Sequence, residues 1–69
     1  MRTQDYPAVI TFSDEDDGFI AIAPNLPGCS AFGRTDEEAY CELQNAISAW
    51  IEAASAAGNS VPKPARLET

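Results

Sequence analysis

The sequence predicts an α+β fold in which a three-stranded antiparallel meander packs on one long amphipathic helix. Residues 35–57 carry apolar side chains at the three- and four-residue spacing of a helix that buries one face. The residues before them contain three short apolar stretches, at about 6–12, 18–23 and 29–33, separated by turn-forming residues. At 69 residues, the chain is expected to form a single domain over positions 1–69, with its core at about 6–64.

The first strand and the turn after it are predicted from their side chains. Residues 6–12 alternate in the two-residue period of a strand, with a proline near the beginning. Four consecutive acids then precede Gly18: Asp14, Glu15, Asp16 and Asp17. So many neighbouring carboxylates are expected on a solvated hairpin tip, and Gly18 is expected to supply the permissive backbone position of the turn.

The second strand is apolar on both sides. Phe19, Ala21 and Ala23 face one way, whereas Ile20 and Ile22 face the other. A single helix covers one face of a small sheet, so the face with Ile20 and Ile22 is expected to lie against another protein chain. This pattern predicts a homo-oligomer, either a dimer or a tetramer. The alternative is a small exposed apolar area with no function.

The third strand and the chain after the helix are bounded by prolines and glycines. Leu26-Pro27-Gly28-Cys29 fits a type II turn leading into the strand at 29–33. Beyond the helix, the two prolines in residues 60–64 restrict the chain to an extended or edge conformation. The sequence therefore allows a short fourth strand there but does not require one.

The predicted helix has a defined beginning and end. Thr35 is the expected N-cap, and Glu38 is expected to accept a hydrogen bond from the Thr35 amide in a capping box. Gly58 and Asn59 are expected to adopt left-handed conformations that end the helix. The predicted buried face consists of Ala39, Tyr40, Leu43, Ala46, Ile47, Trp50, Ile51 and Ala54.

The amino-acid composition excludes some classes of function and favours others. The formal charge of −7 repels a phosphate backbone, so direct nucleic-acid binding is not expected, and a basic protein is the more compatible partner. The alternative is that the acidic residues only keep the protein soluble and indicate no partner. Both cysteines, Cys29 and Cys41, are expected to be buried small apolar side chains, and the sequence has the features of a cytoplasmic protein without a membrane-spanning segment.

No enzymatic chemistry is predicted. The carboxylates fall on the hairpin tip and in the first turn of the helix instead of converging from strand centres, as a two-metal site requires. The chain contains no histidine, which removes the usual general base and zinc ligand. We therefore expect no catalytic residue, metal site or cofactor, with a metal-dependent nuclease as a distant alternative.

An ordered set of short motifs resembles the HicB family, the antitoxin half of HicA/HicB toxin–antitoxin pairs. The motifs are Asp17-Gly18-Phe19, the Pro24–Cys29 loop, Gly33-x-Thr35, the helix residues Glu38-Ala39, Asn45-Ala46 and Trp50, and the ending Val61-Pro62-x-Pro64. Together they extend over roughly residues 6 to 64. The resemblance implies a partial ribonuclease-H-like fold, and it implies binding of a small basic toxin that cleaves messenger RNA. A C-terminal DNA-binding module, which many members carry, is not recognised in this sequence.

The expected function is therefore that of a non-catalytic antitoxin that occludes a HicA-type toxin. A stand-alone oligomeric module that binds another protein or a ligand is the alternative. The predicted protein-binding residues are Asp14, Glu15, Asp16, Asp17, Ile20 and Ile22.

Overall fold

The computed structural model describes residues 5–63, which form three antiparallel strands followed by one helix. These elements are β1 (Val9–Ser13), β2 (Gly18–Ile22), β3 (Ser30–Gly33) and α1 (Asp36–Ala56). The sheet order is β1-β2-β3, and α1 covers one face of the sheet, packing chiefly on β3 and β2. The predicted α+β meander with one long helix is confirmed, while the ribonuclease-H-like assignment stays a prediction.

The first strand differs most from its predicted bounds, because it occupies residues 9–13 and not 6–12. Tyr6 lies outside the sheet, where its side chain is buried and its hydroxyl donates a hydrogen bond to the Pro62 carbonyl oxygen at 2.6 Å. The second and third strands each lack one predicted terminal residue, Ala23 and Cys29. Residues 60–63 form no strand, so the optional fourth strand is not seen there, and residue 64 lies outside the described range.

The start of α1 is capped almost as predicted. The Thr35 hydroxyl oxygen accepts a hydrogen bond from the Glu38 amide at 3.0 Å. The Glu38 carboxylate accepts from the Arg34 amide and not, as predicted, from the Thr35 amide. The side chain therefore reaches one residue further back than in the standard capping box, and it ties the end of β3 to the first turn of α1.

The helix ends in a Schellman motif. The Gly58 amide donates to the Ser55 carbonyl oxygen at 3.1 Å, and the Asn59 amide donates to the Ala54 carbonyl oxygen at 2.8 Å. Gly58 has a φ of +78°, whereas Asn59 is not left-handed. The prediction for Asn59 was wrong because one left-handed residue is sufficient to turn both amides back onto the helix.

The core lies between α1 and the two strands β2 and β3. Its buried residues are Tyr6, Ala21, Ala23, Leu26, Cys29, Ala39, Leu43 and Ile47. Gly33 allows close packing here, because a Cβ at this position would lie 2.7 Å from the Ala39 Cα. The strand and the helix therefore meet backbone to backbone at this point.

Five residues of the helix are less buried than predicted: Ala46, Trp50 and Ile51 are partly buried, and Tyr40 and Cys41 are exposed. Trp50 is partly buried, and its indole N–H donates to the Pro27 carbonyl oxygen at 3.0 Å, which links α1 to the turn before β3. Tyr40 is 39% exposed. Cys41 is exposed, unlike Cys29, because position 41 lies about 200° around the helix from Leu43.

Candidate functional site

The acidic tip, defined as residues Asp14 to Asp17, joins β1 to β2 and is fully on the surface. The Asp17 amide donates to the Asp14 carbonyl oxygen at 3.3 Å, while the Ser13 hydroxyl donates to the Asp16 carboxylate at 3.1 Å. The four carboxylates thus stand on an ordered turn, as predicted for a solvated hairpin tip. Within residues 5–63, no cluster of three or more histidine, cysteine, aspartate or glutamate side chains could hold a metal ion.

The backbone of this turn corrects one prediction. Asp17, with a φ of +52°, is the left-handed residue of the turn, whereas Gly18 is the first residue of β2. Aspartate tolerates this conformation better than most residues with a side chain. Gly18 is instead needed for packing, because a Cβ there would lie 2.8 Å from Cε1 of Phe32.

The sheet has an open face, directed away from α1. Strand register places Val9 opposite Ile22 and Ile20 opposite Phe32, and paired residues point to the same side of a sheet. Ala21, between Ile20 and Ile22, is buried under the helix, so its two neighbours point outward. The open face consists of Val9, Thr11, Ser13, Gly18, Ile20, Ile22, Ser30 and Phe32.

The open face is apolar at its centre and carries no charged side chain. Val9, Ile22 and Phe32 remain 46%, 43% and 44% exposed, and Ile20 is partly buried between them. The structure thus places Ile20 and Ile22, which were predicted to bind another protein chain, on one uncovered surface. Sequence reasoning missed Phe32, although the alternation of Ser30 and Phe32 with Ala31 and Gly33 could have identified it.

A second surface feature lies on the other side of the sheet, between β1 and the beginning of α1. A shallow groove of about 340 Å³ is lined by Ile10, Tyr40 and Cys41, with Asp36 and Glu37 also contributing. No sequence signal indicated this groove, because it depends on how far α1 lies from β1.

The acidic tip and the open face adjoin one another. The Phe32 ring lies over Gly18, which directly follows Asp17 at the end of the tip. Carboxylates at the border of an uncharged apolar surface match the arrangement of a protein–protein interface, in which a polar rim surrounds an apolar centre.

Comparison with known proteins identifies the class as an antitoxin of a bacterial toxin–antitoxin system. The sequence profile of a family described as "HicB_like antitoxin of bacterial toxin-antitoxin system" matches residues 6–69. The chain belongs to this HicB-like antitoxin family, which confirms the resemblance seen in its motifs.

A curated relative is similar to most of the chain. UPF0150 protein Ta0767 of Thermoplasma acidophilum is 36% identical over 58 residues, which cover 84% of this chain and 83% of that protein. No solved structure matches the chain at a significant level. Among residues 5–63, α1 is not apolar enough to cross a membrane.

Proposed function

We propose that this chain is an antitoxin that binds a small, basic, mRNA-cleaving toxin of the HicA type and blocks its RNA-binding surface. Membership of the HicB-like antitoxin family supports the antitoxin role. The observation that favours a basic partner is the acidic tip, where four consecutive exposed carboxylates stand on one ordered turn. A surface that binds RNA must be positively charged, so the tip is complementary to the surface that an antitoxin has to cover.

The tip acts mainly on the encounter between the two proteins. Exposed carboxylates attract a basic protein over about one Debye length, roughly 8–10 Å at physiological salt, and this attraction raises the association rate. Lasting affinity requires apolar contacts at the centre of an interface. The groove at Ile10 and Tyr40 provides such contacts beside the Asp36 carboxylate.

Blocking the toxin requires no bond to be made or broken by the antitoxin. The proposed function is therefore non-catalytic, which agrees with the antitoxin family to which the chain belongs. In this proposal the chain acts in the cytoplasm, forms a homo-oligomer, and does not itself contact nucleic acid, in keeping with its charge of −7.

The proposal is tested by expressing the tagged chain from its native genomic segment together with the flanking reading frames. A small basic protein in roughly equal amount should co-purify. After separation in denaturant and refolding, that protein should cleave RNA, and adding back the purified chain should stop the cleavage. Expression of each neighbouring frame is verified separately by mass spectrometry of the lysate.

Recovery of the tagged chain alone, although the neighbouring protein is expressed, would contradict the proposal. It would instead favour a stand-alone binding module with the same fold. Co-purification of a partner whose RNA cleavage the chain does not inhibit would also contradict it.

A further inference from the structure

We propose that the open face is the contact surface of a homodimer, in which the sheets of two copies pack face to face. This inference deepens the proposed self-association by assigning it to one surface and one geometry. It does not require a toxin, so its test is independent of toxin capture.

The charge distribution favours a second copy as the occupant of the open face. The chain carries a net charge of −7, yet none of the eight residues of the open face is charged. Two copies that approach through the acidic tip, or through the side of α1 that carries Glu42 and Glu52, bring carboxylates together, whereas two open faces meet without that repulsion. The open face is therefore well suited to contact between two like-charged chains.

The same observation disfavours a basic toxin on the open face. Lysine and arginine side chains that lose water on binding need a carboxylate or another acceptor in return. The open face offers two serine hydroxyls and one threonine hydroxyl and no carboxylate. The acidic tip, which lies at the end of the sheet, offers four.

The geometry of the open face suits sheet-on-sheet packing. Its side chains come from three adjacent strands in continuous register, and aligned sheets pack about 10 Å apart through such side chains. Phe32 is held over Gly18 and therefore presents an already positioned aromatic surface. Little side-chain conformational entropy is then lost when two copies bind to each other.

The symmetry of the dimer determines where the two acidic tips lie. A closed dimer of identical chains has a two-fold axis, and each copy contributes the same surface. Repulsion between the tips favours the axis that reverses the strand direction, which places the two tips at opposite ends of the dimer. Both tips then remain exposed, so the dimer can bind two basic partners at once.

The size of the face sets the expected strength of the dimer. Three strands of about five residues span roughly 16 by 14 Å, which is small compared with the roughly 800 Å² per partner of a standard interface. We therefore expect a weak dimer whose population rises with concentration, which sedimentation over a range of concentrations measures directly.

The experiment is analytical ultracentrifugation of the full chain, without any partner, over a range of concentrations. Ile22→Glu should raise the dissociation constant by at least about 100-fold, because the two-fold axis places two unpaired carboxylates in one interface. Ile22→Thr introduces no charge and should weaken the dimer less. The control is Tyr40→Glu, which adds the same charge at a side chain of similar exposure on α1 and should leave the dissociation constant unchanged.

Circular dichroism checks that each variant is folded, and Ile22→Thr is the informative variant if Ile22→Glu does not fold. A wild-type chain that stays monomeric at all concentrations would overturn the proposal. So would an oligomer that both Ile22 variants leave intact, or one that Tyr40→Glu disrupts instead. Failure to capture a toxin would leave these sedimentation results unaffected.

Discussion

Gly33 and Ala39 contact each other through their backbones, with no space for a side chain on the glycine. A Cβ at Gly33 would lie 2.7 Å from the Ala39 Cα. This contact fixes the distance between β3 and α1, and the buried side chains of Leu43 and Ile47 follow further along the same helix.

Gly33→Ala is therefore expected to lower the free energy of unfolding by about 2 kcal/mol, because the helix must move away from the strand. Urea denaturation followed by circular dichroism measures the loss. Ser30→Ala, on the same strand but on the open face, should change stability by less than about 0.5 kcal/mol. Equal effects of the two substitutions would show that the close contact is not formed in solution.

Tyr6→Phe tests the hydrogen bond to the Pro62 carbonyl oxygen, which is 2.6 Å long and joins residues 56 positions apart. Removing the hydroxyl should cost about 1 kcal/mol of stability, because the carbonyl loses a partner in a partly buried setting. Tyr40→Phe is the matched control, since Tyr40 is 39% exposed. A stability loss that is the same for both variants would contradict a specific role for the Tyr6 hydroxyl.

Gln44→Met should stabilise the protein. Both polar atoms of the Gln44 amide are buried without a hydrogen-bond partner, and an unsatisfied buried polar group costs about 1–3 kcal/mol. Methionine has a similar length and helix propensity, so a gain of about 1 kcal/mol in the unfolding free energy is expected. Gln44→Glu should do the opposite because it buries a charge. A destabilising Gln44→Met would indicate that the amide is bonded in solution.

Neutralising the acidic tip tests its role in partner capture. Replacing Asp14, Glu15, Asp16 and Asp17 by the corresponding amides should slow association with the toxin about 3- to 10-fold at low salt, with little change in melting temperature. Stopped-flow mixing at two ionic strengths measures the rate.

A charge-matched comparison separates the position of the carboxylates from the net charge. Asp14→Asn with Glu15→Gln removes two charges at the tip, and Glu42→Gln with Glu52→Gln removes two on the exposed side of α1. The tip pair should slow association more than the helix pair. Equal slowing would mean that only the net charge matters.

The two cysteines should differ in reactivity. Cys41 is exposed, whereas Cys29 is buried, and burial raises the pKa of the Cys29 thiol above its ordinary value. Iodoacetamide is therefore expected to modify Cys41 first, because only a thiolate that the reagent can reach reacts quickly. Mass spectrometry of a time course identifies the modified site. Rapid modification of Cys29 in the Cys41→Ser variant would contradict its burial.

The raised pKa of Cys29 also has a defined effect on stability. The folded thiol ionises at higher pH than the unfolded one. Its contribution to the free energy of unfolding is therefore complete below the pKa of the unfolded thiol, and it is lost as the pH rises through the pKa of the folded thiol. Above the ordinary value of 9.0, the unfolding free energy should therefore fall less steeply in Cys29→Ala than in the wild type. Identical alkaline profiles would exclude this contribution.

Features with local causes could be predicted from the sequence. The helix occupies residues 36–56 with caps at Thr35 and Ala57, close to the predicted 35–57. The type II turn is confirmed by the Gly28 φ of +77° and by the hydrogen bond from the Cys29 amide to the Leu26 carbonyl oxygen, at 3.0 Å. The residues that determine each cap, and those that determine the β-turn, are close neighbours in the sequence. The sequence alone therefore contains the information needed to predict these features.

Features that depend on distant contacts could not be predicted in the same way. Tyr6 continues the alternating pattern of β1, yet it lies outside the sheet, where its hydroxyl bonds to Pro62 at the other end of the sequence. Gly18 has the appearance of a turn residue, but its role is set by Phe32 on a different strand. For the candidate site, the sequence indicated the tip and the two isoleucines, whereas the groove depends on the separation of β1 from α1.

The hydrogen bond between Tyr6 and Pro62 has a topological consequence, since it brings together two residues that are 56 positions apart in the sequence. Residues 6–62 therefore trace a nearly closed ring, and a short linker from residue 62 back to residue 6 would close it. The exposed turn between β1 and β2 is then a suitable place to open the ring. A circular permutant with new termini at this turn would keep every strand pair and every helix contact, although the elements would follow in a different order.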